Sequence, residues 1–208
     1  MNKFLFNPLY YLNRSIIKII NFMFFIIGNI YLKFIGVNFS IFKIKMDRIP
    51  HVILRPNSKI TLGTNVLITS STSSNPVGVK HKSVLAILAP GASINIGNNT
   101  GLTGVSICSA TRIDIGANVY IGGGVSIWDT DFHPIKWSER ERNPSDGLSL
   151  PIRIGNNVFI GANSIILKGV QIGDGAVIGA GSVVSKNVGC NEVYAGNPAV
   201  KIKQLDNE

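Results

Sequence analysis

The sequence is short of carboxylates. Asp and Glu number 11 against 20 Lys and Arg in 208 residues, for a formal charge of +9. None precedes Asp47, although Lys3, Arg14, Lys18, Lys33, Lys43 and Lys45 do, and none lies between Arg48 and Arg112. Such an imbalance draws polyanions: nucleic acid, anionic lipid or a phosphate-rich cofactor. No nucleic-acid-binding motif accompanies it, and the aromatics gather in the apolar N-terminus, so no nucleic-acid partner is expected. Cysteine is scarcer still. Cys108 and Cys190 are too few and too distant for a disulfide framework or a zinc knuckle, and they read as small buried or incidental residues of a reducing compartment. A long uncharged apolar run is also missing. The stretch between Lys18 and Lys33 is 14 residues, short of the roughly 20 that a bilayer-crossing helix needs. No small-x-small cleavage site follows it before Gly36, so a secretory signal is not expected.

What is present divides the chain in two. Hydrophobic residues make up 45%, a core-forming proportion, and the greasiest part is Ile16 to Ile27 with Tyr10, Tyr11, Tyr31 and Phe34 around it. Residues 1–46 are therefore expected to form a hydrophobic, basic helical segment. It either packs on the main body or a neighbouring subunit, or lies on anionic lipid. The expected location is the cytoplasm, with the inner face of a bacterial cytoplasmic membrane as the lipid-bound alternative.

Residues 47–205 carry a six-residue period. Aliphatics recur at Ile154, Ile160, Ile166, Ile172, Ile178 and Val184, four of them followed by glycine at Gly155, Gly161, Gly173 and Gly179. Two positions earlier stand Ile152, Val158, Ser164, Val170, Ala176 and Ser182. Interrupted versions run through Ile60–Ile68, Ile94–Gly97 and Ile113–Ile127, and Ile96 to Ile115 is one residue longer than three hexads. A period of six suits neither a helix nor a plain strand. It suits a short strand plus a turn, repeated, with one inward aliphatic per turn and glycine where the backbone bends. Three such turns close a triangular rung, and rungs stack through parallel hydrogen bonds roughly 4.8 Å apart. The fold expected is an all-β, left-handed parallel β-helix of about five rungs. Residues 70–83 and 128–151 fit no hexad and read as loops leaving the coil.

The second loop holds five carboxylates, Asp129, Asp131, Glu139, Glu141 and Asp146, together with His133. In an extended Asp129-Thr130-Asp131-Phe132-His133 segment, both aspartates and the histidine face one side. An aspartate accepting the imidazole Nδ1–H would leave Nε2 free as a base. Which aspartate does so stays open.

The hexads, the DTDFHPI loop, the run from Pro151 to Lys186 and the closing YAGNPAVKIK resemble the hexapeptide-repeat acyltransferases. The likeness is greatest to the maltose, galactoside and capsule-type sugar O-acetyltransferases, and it covers about residues 58–205. It implies acetyl-CoA as acyl donor, a sugar or glycan acceptor in surface-polysaccharide synthesis, and a homotrimer with sites between subunits. On the resemblance His133 is the catalytic base and the Ala162 backbone N–H the oxyanion donor. Phe159 lies beside the cofactor arm, and Gly161, Gly179 and Ala180 let the pantetheine approach. Ser185, Lys186 and Lys203 meet the nucleotide end. Two features depart from the pattern: the N-terminus is more hydrophobic, and Gly101-Leu102-Thr103-Gly104 lacks an asparagine placed near the acceptor in the galactoside enzymes.

Three alternatives follow: an amino-sugar N-acetyltransferase, a zinc enzyme on the same coil, and a trimeric scaffold without catalysis. The zinc enzyme would need His51, His81 and His133 to converge, and with His51 outside the recognisable coil no metal site is expected.

Overall fold

The protein is described by a computed structural model covering residues 8–72, 75 and 77–206; Lys3 falls outside these. Nearly all of its strands stack in parallel into three sheets that form the faces of a triangular prism. Sheet I contains His51–Ile53, Val84–Ile87, Ser106–Ser109, Ser126–Trp128, Ile165–Ile166 and Val183–Val184. Sheet II contains Lys59–Leu62, Ser93–Ile96, Arg112–Ile115, Ile152–Ile154 and Gln171–Ile172. Sheet III runs from Lys45–Met46 through Leu67–Thr69, Gly101–Thr103, Tyr120–Ile121, Phe159–Ile160 and Val177–Ile178 to Glu192–Gly196, and Ala199–Gln204 closes it as an antiparallel edge. The chain visits the sheets in the order I, II, III, I, the left-handed β-helix that the period predicted.

The inward columns are the predicted ones. Ile154, Ile160, Ile166, Ile172, Ile178 and Val184 are all at most 2% exposed, and each such side chain stabilises by roughly 1.5–3 kcal/mol relative to exposure. Ser164 and Ser182 point inward too, and satisfy themselves on the Gly161 and Gly179 carbonyls. In the uninterrupted C-terminal rungs the register advances by 18 residues, as from Ile154 to Ile172 or Ile165 to Val183. The Ile96 to Ile115 step is 19, with the surplus chain at Ala110 and Thr111 between sheets I and II.

The glycines are explained differently from the sequence-based expectation. Gly116, Gly155, Gly161 and Gly173 follow inward aliphatics but lie outside the positive-φ region. What they avoid is the neighbouring rung: a Cβ on Gly116 would stand 2.5 Å from the Gly155 carbonyl oxygen, and one on Gly161 would stand 2.4 Å from the Ala180 nitrogen. The left-handed bends at the corner between sheets II and III belong in four rungs to asparagine, at Asn65, Asn99, Asn118 and Asn157 with φ of 56–63°, and in the last to Gly175. Asparagine tolerates this region better than other side-chain-bearing residues. The four amides also hydrogen-bond in a column along the edge, at 3.2, 3.1 and 3.0 Å.

The boundary after residue 46 needs correction. Helix α1 spans Pro8–Phe34, and the coil begins at once: Asn38 bridges to Thr61, and Lys45–Met46 pairs with Leu67–Ile68. His51, placed outside the coil from sequence, opens the first strand of sheet I. α1 closes the N-terminal end of the core with one face of its C-terminal half. Leu32 and Asn29 are fully buried, and the Asn29 amide donates to the Ile44 carbonyl at 2.8 Å. At 27 residues the helix is long and apolar enough to cross a membrane by length and composition, even though the stretch between Lys18 and Lys33 alone is not.

Candidate active site

The loop from 128 to 151 leaves the corner between sheets I and II and is anchored at its root by Asp129. The alternation that buries Val125 and Ile127 continues to Asp129, which is fully buried. Its carboxylate accepts from Ser109 Oγ, Ala110 N, Thr111 N and Thr111 Oγ1 at 2.6–2.9 Å. The surplus residues of the preceding rung thus form the cradle for this one side chain. Farther out the two arms of the loop are zipped together by Asp131 N donating to Leu148 O and Leu150 N to Asp129 O. Between them lies a short helix, α2, Trp137–Arg142, inside a segment that the sequence suggested was all loop.

The segment before His133 is not extended, which corrects the geometry expected for the aspartates. Phe132 has φ 61° and His133 N donates to Asp131 O at 2.7 Å, a tight three-residue turn. The turn breaks the alternation, so the three side chains part. Asp129 points into the coil, Asp131 pairs with Lys168 Nζ at 2.6 Å, and His133 faces solvent. Neither aspartate touches the imidazole. The Nδ1 partner is the Pro144 carbonyl, at 2.5 Å. A carbonyl only accepts, so Nδ1 carries the proton and the neutral ring presents Nε2 as a free base. The anticipated tautomer is reached through a different partner. Gly147 makes room for the turn, since a Cβ there would lie 2.7 Å from His133 N.

Asp131 also lines an open cavity of about 670 Å³ with Pro134, Lys136, Glu139, Asp146 and Ser149. His133 is not among its walls. On the outer face of sheet I, Trp128 donates to Ser106 Oγ and meets Phe132 edge-on, while Cys108 lies beside them. Burial, and less strongly the charge of Asp129, raises the Cys108 thiol pKa, against a lowering by its hydrogen bond with Ser106. A thiol held in its neutral form is a poor nucleophile.

The second group of residues lies at another corner, between sheets III and I. Here Gly122, Gly161 and Gly179 stack with Ala162 and Ala180 to make a shelf on which no side chain exceeds a methyl group. Among the described residues neither Ala162 N–H nor Ala180 N–H meets an acceptor. Phe159, about half exposed, stands on the adjoining face of sheet III, and Lys203 lies on its last strand opposite Val193. Ser185 and Lys186 follow Val183–Val184 and so sit at the corner between sheets I and II, one rung beyond Lys168. His133 and Ala162 are therefore separated by the width of sheet I. Within one chain the structure unites Phe159, Gly161, Ala162, Gly179 and Ala180, and leaves His133, Ser185 and Lys186 on the other edge.

Residues 151–186 match the family model described as the hexapeptide repeat of succinyl-transferase. That stretch of the coil thus carries the repeat which the model describes. Protein CapG of Staphylococcus aureus is 52% identical to this chain over 94 residues, 45% of the chain and 54% of CapG. The solved polySia-specific acetyltransferase NeuO superposes with a TM-score of 0.60 at 29% identity, over 77% of this chain and 68% of that one. Galactoside acetyltransferase in complex with coenzyme A gives 0.50 at 36% identity, over 57% and 62%. The chain spans about half the length of the curated relatives it matches, between 45% and 60% for the first three.

Proposed function

We propose that the chain is an acetyl-CoA-dependent O-acetyltransferase that modifies a sugar hydroxyl of a polysaccharide, and that it works as a homotrimer with each site between two subunits. The observation that carries this reading is the pairing of His133, with Nδ1 tied to Pro144 and Nε2 free, with an unpaired Ala162 N–H at a different edge of the prism. Each edge holds half of an acyl-transfer site, and a neighbouring copy brings the halves together. The names of the polySia-specific acetyltransferase NeuO and galactoside acetyltransferase support the acceptor class, and the coenzyme A bound to the latter supports the donor.

Acetyl-CoA supplies the activated acyl carbon. His133 Nε2 takes the proton of the acceptor hydroxyl as its oxygen attacks. Ala162 N–H of the adjacent subunit stabilises the charge developing on the carbonyl oxygen. The imidazolium then returns its proton to the departing sulfur. No enzyme-bound acyl group is required, in keeping with the raised Cys108 pKa. The side-chain-poor shelf at Ala162 and Ala180 admits a thin pantetheine arm along the coil, beside Phe159. Lys203 would meet the nucleotide phosphates from the same chain, and Ser185 and Lys186 from the neighbour.

Isothermal titration of acetyl-CoA into wild-type protein and His133→Ala, followed by an acceptor screen with mass analysis of product, tests the proposal. Both proteins should bind in the micromolar range, and only the wild type should give an ester. An amide product would convert the reading to an amino-sugar N-acetyltransferase. Absence of binding by folded wild type would leave a scaffold.

A further inference from the structure

Helix α1 places its apolar side chains outward. Leu12, Ile16, Ile19, Met23, Ile30 and Phe34 recur every three, four or seven residues, and they are 46–88% exposed. At about 100° per residue they form one stripe along the helix, on the side opposite the Phe25, Asn29 and Leu32 face that meets the coil. Hydrophobic stripes this long do not normally stay in water on a soluble protein.

The flank of the helix is basic. Arg48 stacks its guanidinium 4.6 Å from the centre of the Phe24 ring. Beyond it opens a cavity of about 320 Å³ lined by Arg48, Ser70, Thr72, Lys80, His81 and Lys82. The acidic side chain nearest to it in sequence, Asp47, is buried and its carboxylate accepts from Ser70 N and Ser71 N. No other carboxylate occurs before Asp114. A second copy of the chain would bring like charge against this flank, so self-association through α1 is opposed by the feature beside it. An anionic surface is attracted by it.

We propose that α1 docks the protein on an anionic lipid bilayer. The Leu12–Phe34 stripe enters the acyl boundary, and the Arg48, Lys80, His81 and Lys82 pocket holds lipid phosphates. The helix lies in the plane of the surface and does not cross it. A spanning helix needs lipid on every side, whereas Asn29 and Leu32 are fully buried against the coil and the Asn29 amide is tied to Ile44 O. This amphipathic arrangement, with cations beside the apolar face, is the physics of interfacial helices. The inference does not depend on the acyl-transfer reading.

The test is flotation of the full chain with vesicles of phosphatidylcholine alone or with 30 mol% phosphatidylglycerol. Binding at least tenfold stronger to the anionic vesicles, weakened by salt, is expected. Ile16→Glu/Ile19→Glu/Met23→Glu should abolish binding to both while leaving the β-sheet circular dichroism and Tm of the coil in place. Lys80→Ser/Lys82→Ser should lower binding to anionic vesicles by ten- to thirtyfold, at about fivefold per cation, without changing binding to phosphatidylcholine. Unaltered flotation of the triple variant would overturn the proposal. So would a wild type that floats with neither vesicle, or a triple variant whose changed property is its mass in solution, which would make a second copy the occupant. Resistance of vesicle-bound wild type to alkaline carbonate extraction would overturn the in-plane orientation.

Discussion

Two edges of the same prism behave in opposite ways. The edge between sheets II and III repeats one conformation through rung after rung, with glycine stacked on glycine and asparagine bonded to asparagine. The edge between sheets I and II changes along its length: a surplus at Ala110 and Thr111, a long excursion from 128 to 151, then short turns near Lys168 and Lys186. Uniformity is what stacking rewards, because each residue of the first edge lies directly against its counterpart. Where the chain departs from it, backbone groups lose their ladder partners and must find others. On the second edge those partners are side chains, chiefly the Asp129 carboxylate, and the departure carries a histidine out of the coil. One edge holds the structure together and the other is free to hold chemistry.

Substitutions should separate the two edges. The largest effect is expected from His133→Ala, which should lower turnover by about 10²–10⁴-fold with Tm unchanged; a parallel loss of Tm would mean that the excursion is structural. Asp129→Ala strands four donors in a buried cradle and should cost about 3 kcal/mol, measured by urea unfolding, with activity lost in proportion to the displaced loop. Gly116→Ala, on the uniform edge, forces a Cβ against the Gly155 carbonyl and should cost about 2–3 kcal/mol, leaving the kcat of the folded fraction intact. Asn118→Ala gives up two amide contacts and puts alanine in the left-handed region, for a loss of about 1–2 kcal/mol and no kinetic change. The smallest is Lys168→Ala. The Lys168–Asp131 pair is partly exposed, so stability should move by less than about 1 kcal/mol, while turnover falls several-fold as Asp131 loses the contact that fixes the loop.

A further experiment sharpens the contrast. His133→Ala and Ala162→Pro subunits remove different halves of the proposed site, the second by deleting the N–H. Each should be inactive alone, and refolding them together should restore part of the wild-type rate. Failure to complement would overturn the site shared between subunits.

The coil was legible because one aliphatic per six residues is a pattern no helix or hairpin produces, and every member of the column from Ile154 to Val184 is buried. The asparagine corners also leave a signal in the sequence: Gly63, Gly97, Gly116 and Gly155 are each followed two residues later by the asparagine that makes the bend. Glycine suggests a bend because it bends freely, yet at these four positions it serves close approach. In the candidate site His133 could be picked out from its loop, whereas its orienting partner could not. The Pro144 carbonyl is a backbone atom eleven residues away, and nothing in residue type marks it. The burial of Asp129 follows from parity, since it continues the inward alternation of Val125 and Ile127. The separation of His133 from Ala162 follows from counting corners, once the excursion is assigned to the turn after sheet I.

The asparagine column also governs how the protein ages. Deamidation begins when the backbone nitrogen of the following residue attacks the side-chain amide. In Asn65, Asn99, Asn118 and Asn157 that neighbour is Val66, Thr100, Val119 or Val158, each β-branched and fully buried. Folded, the column resists the reaction. A rung that opens under heat exposes its asparagine, and an aspartate formed at Asn65, Asn99 or Asn118 would present a carboxylate oxygen where the amide had donated to the next side-chain oxygen, one rung of roughly 4.8 Å away. Acceptor then faces acceptor and opposes re-closure, so each opening event that ends in deamidation leaves a lasting mark, and the edge that gives the coil its regularity becomes its record of thermal history.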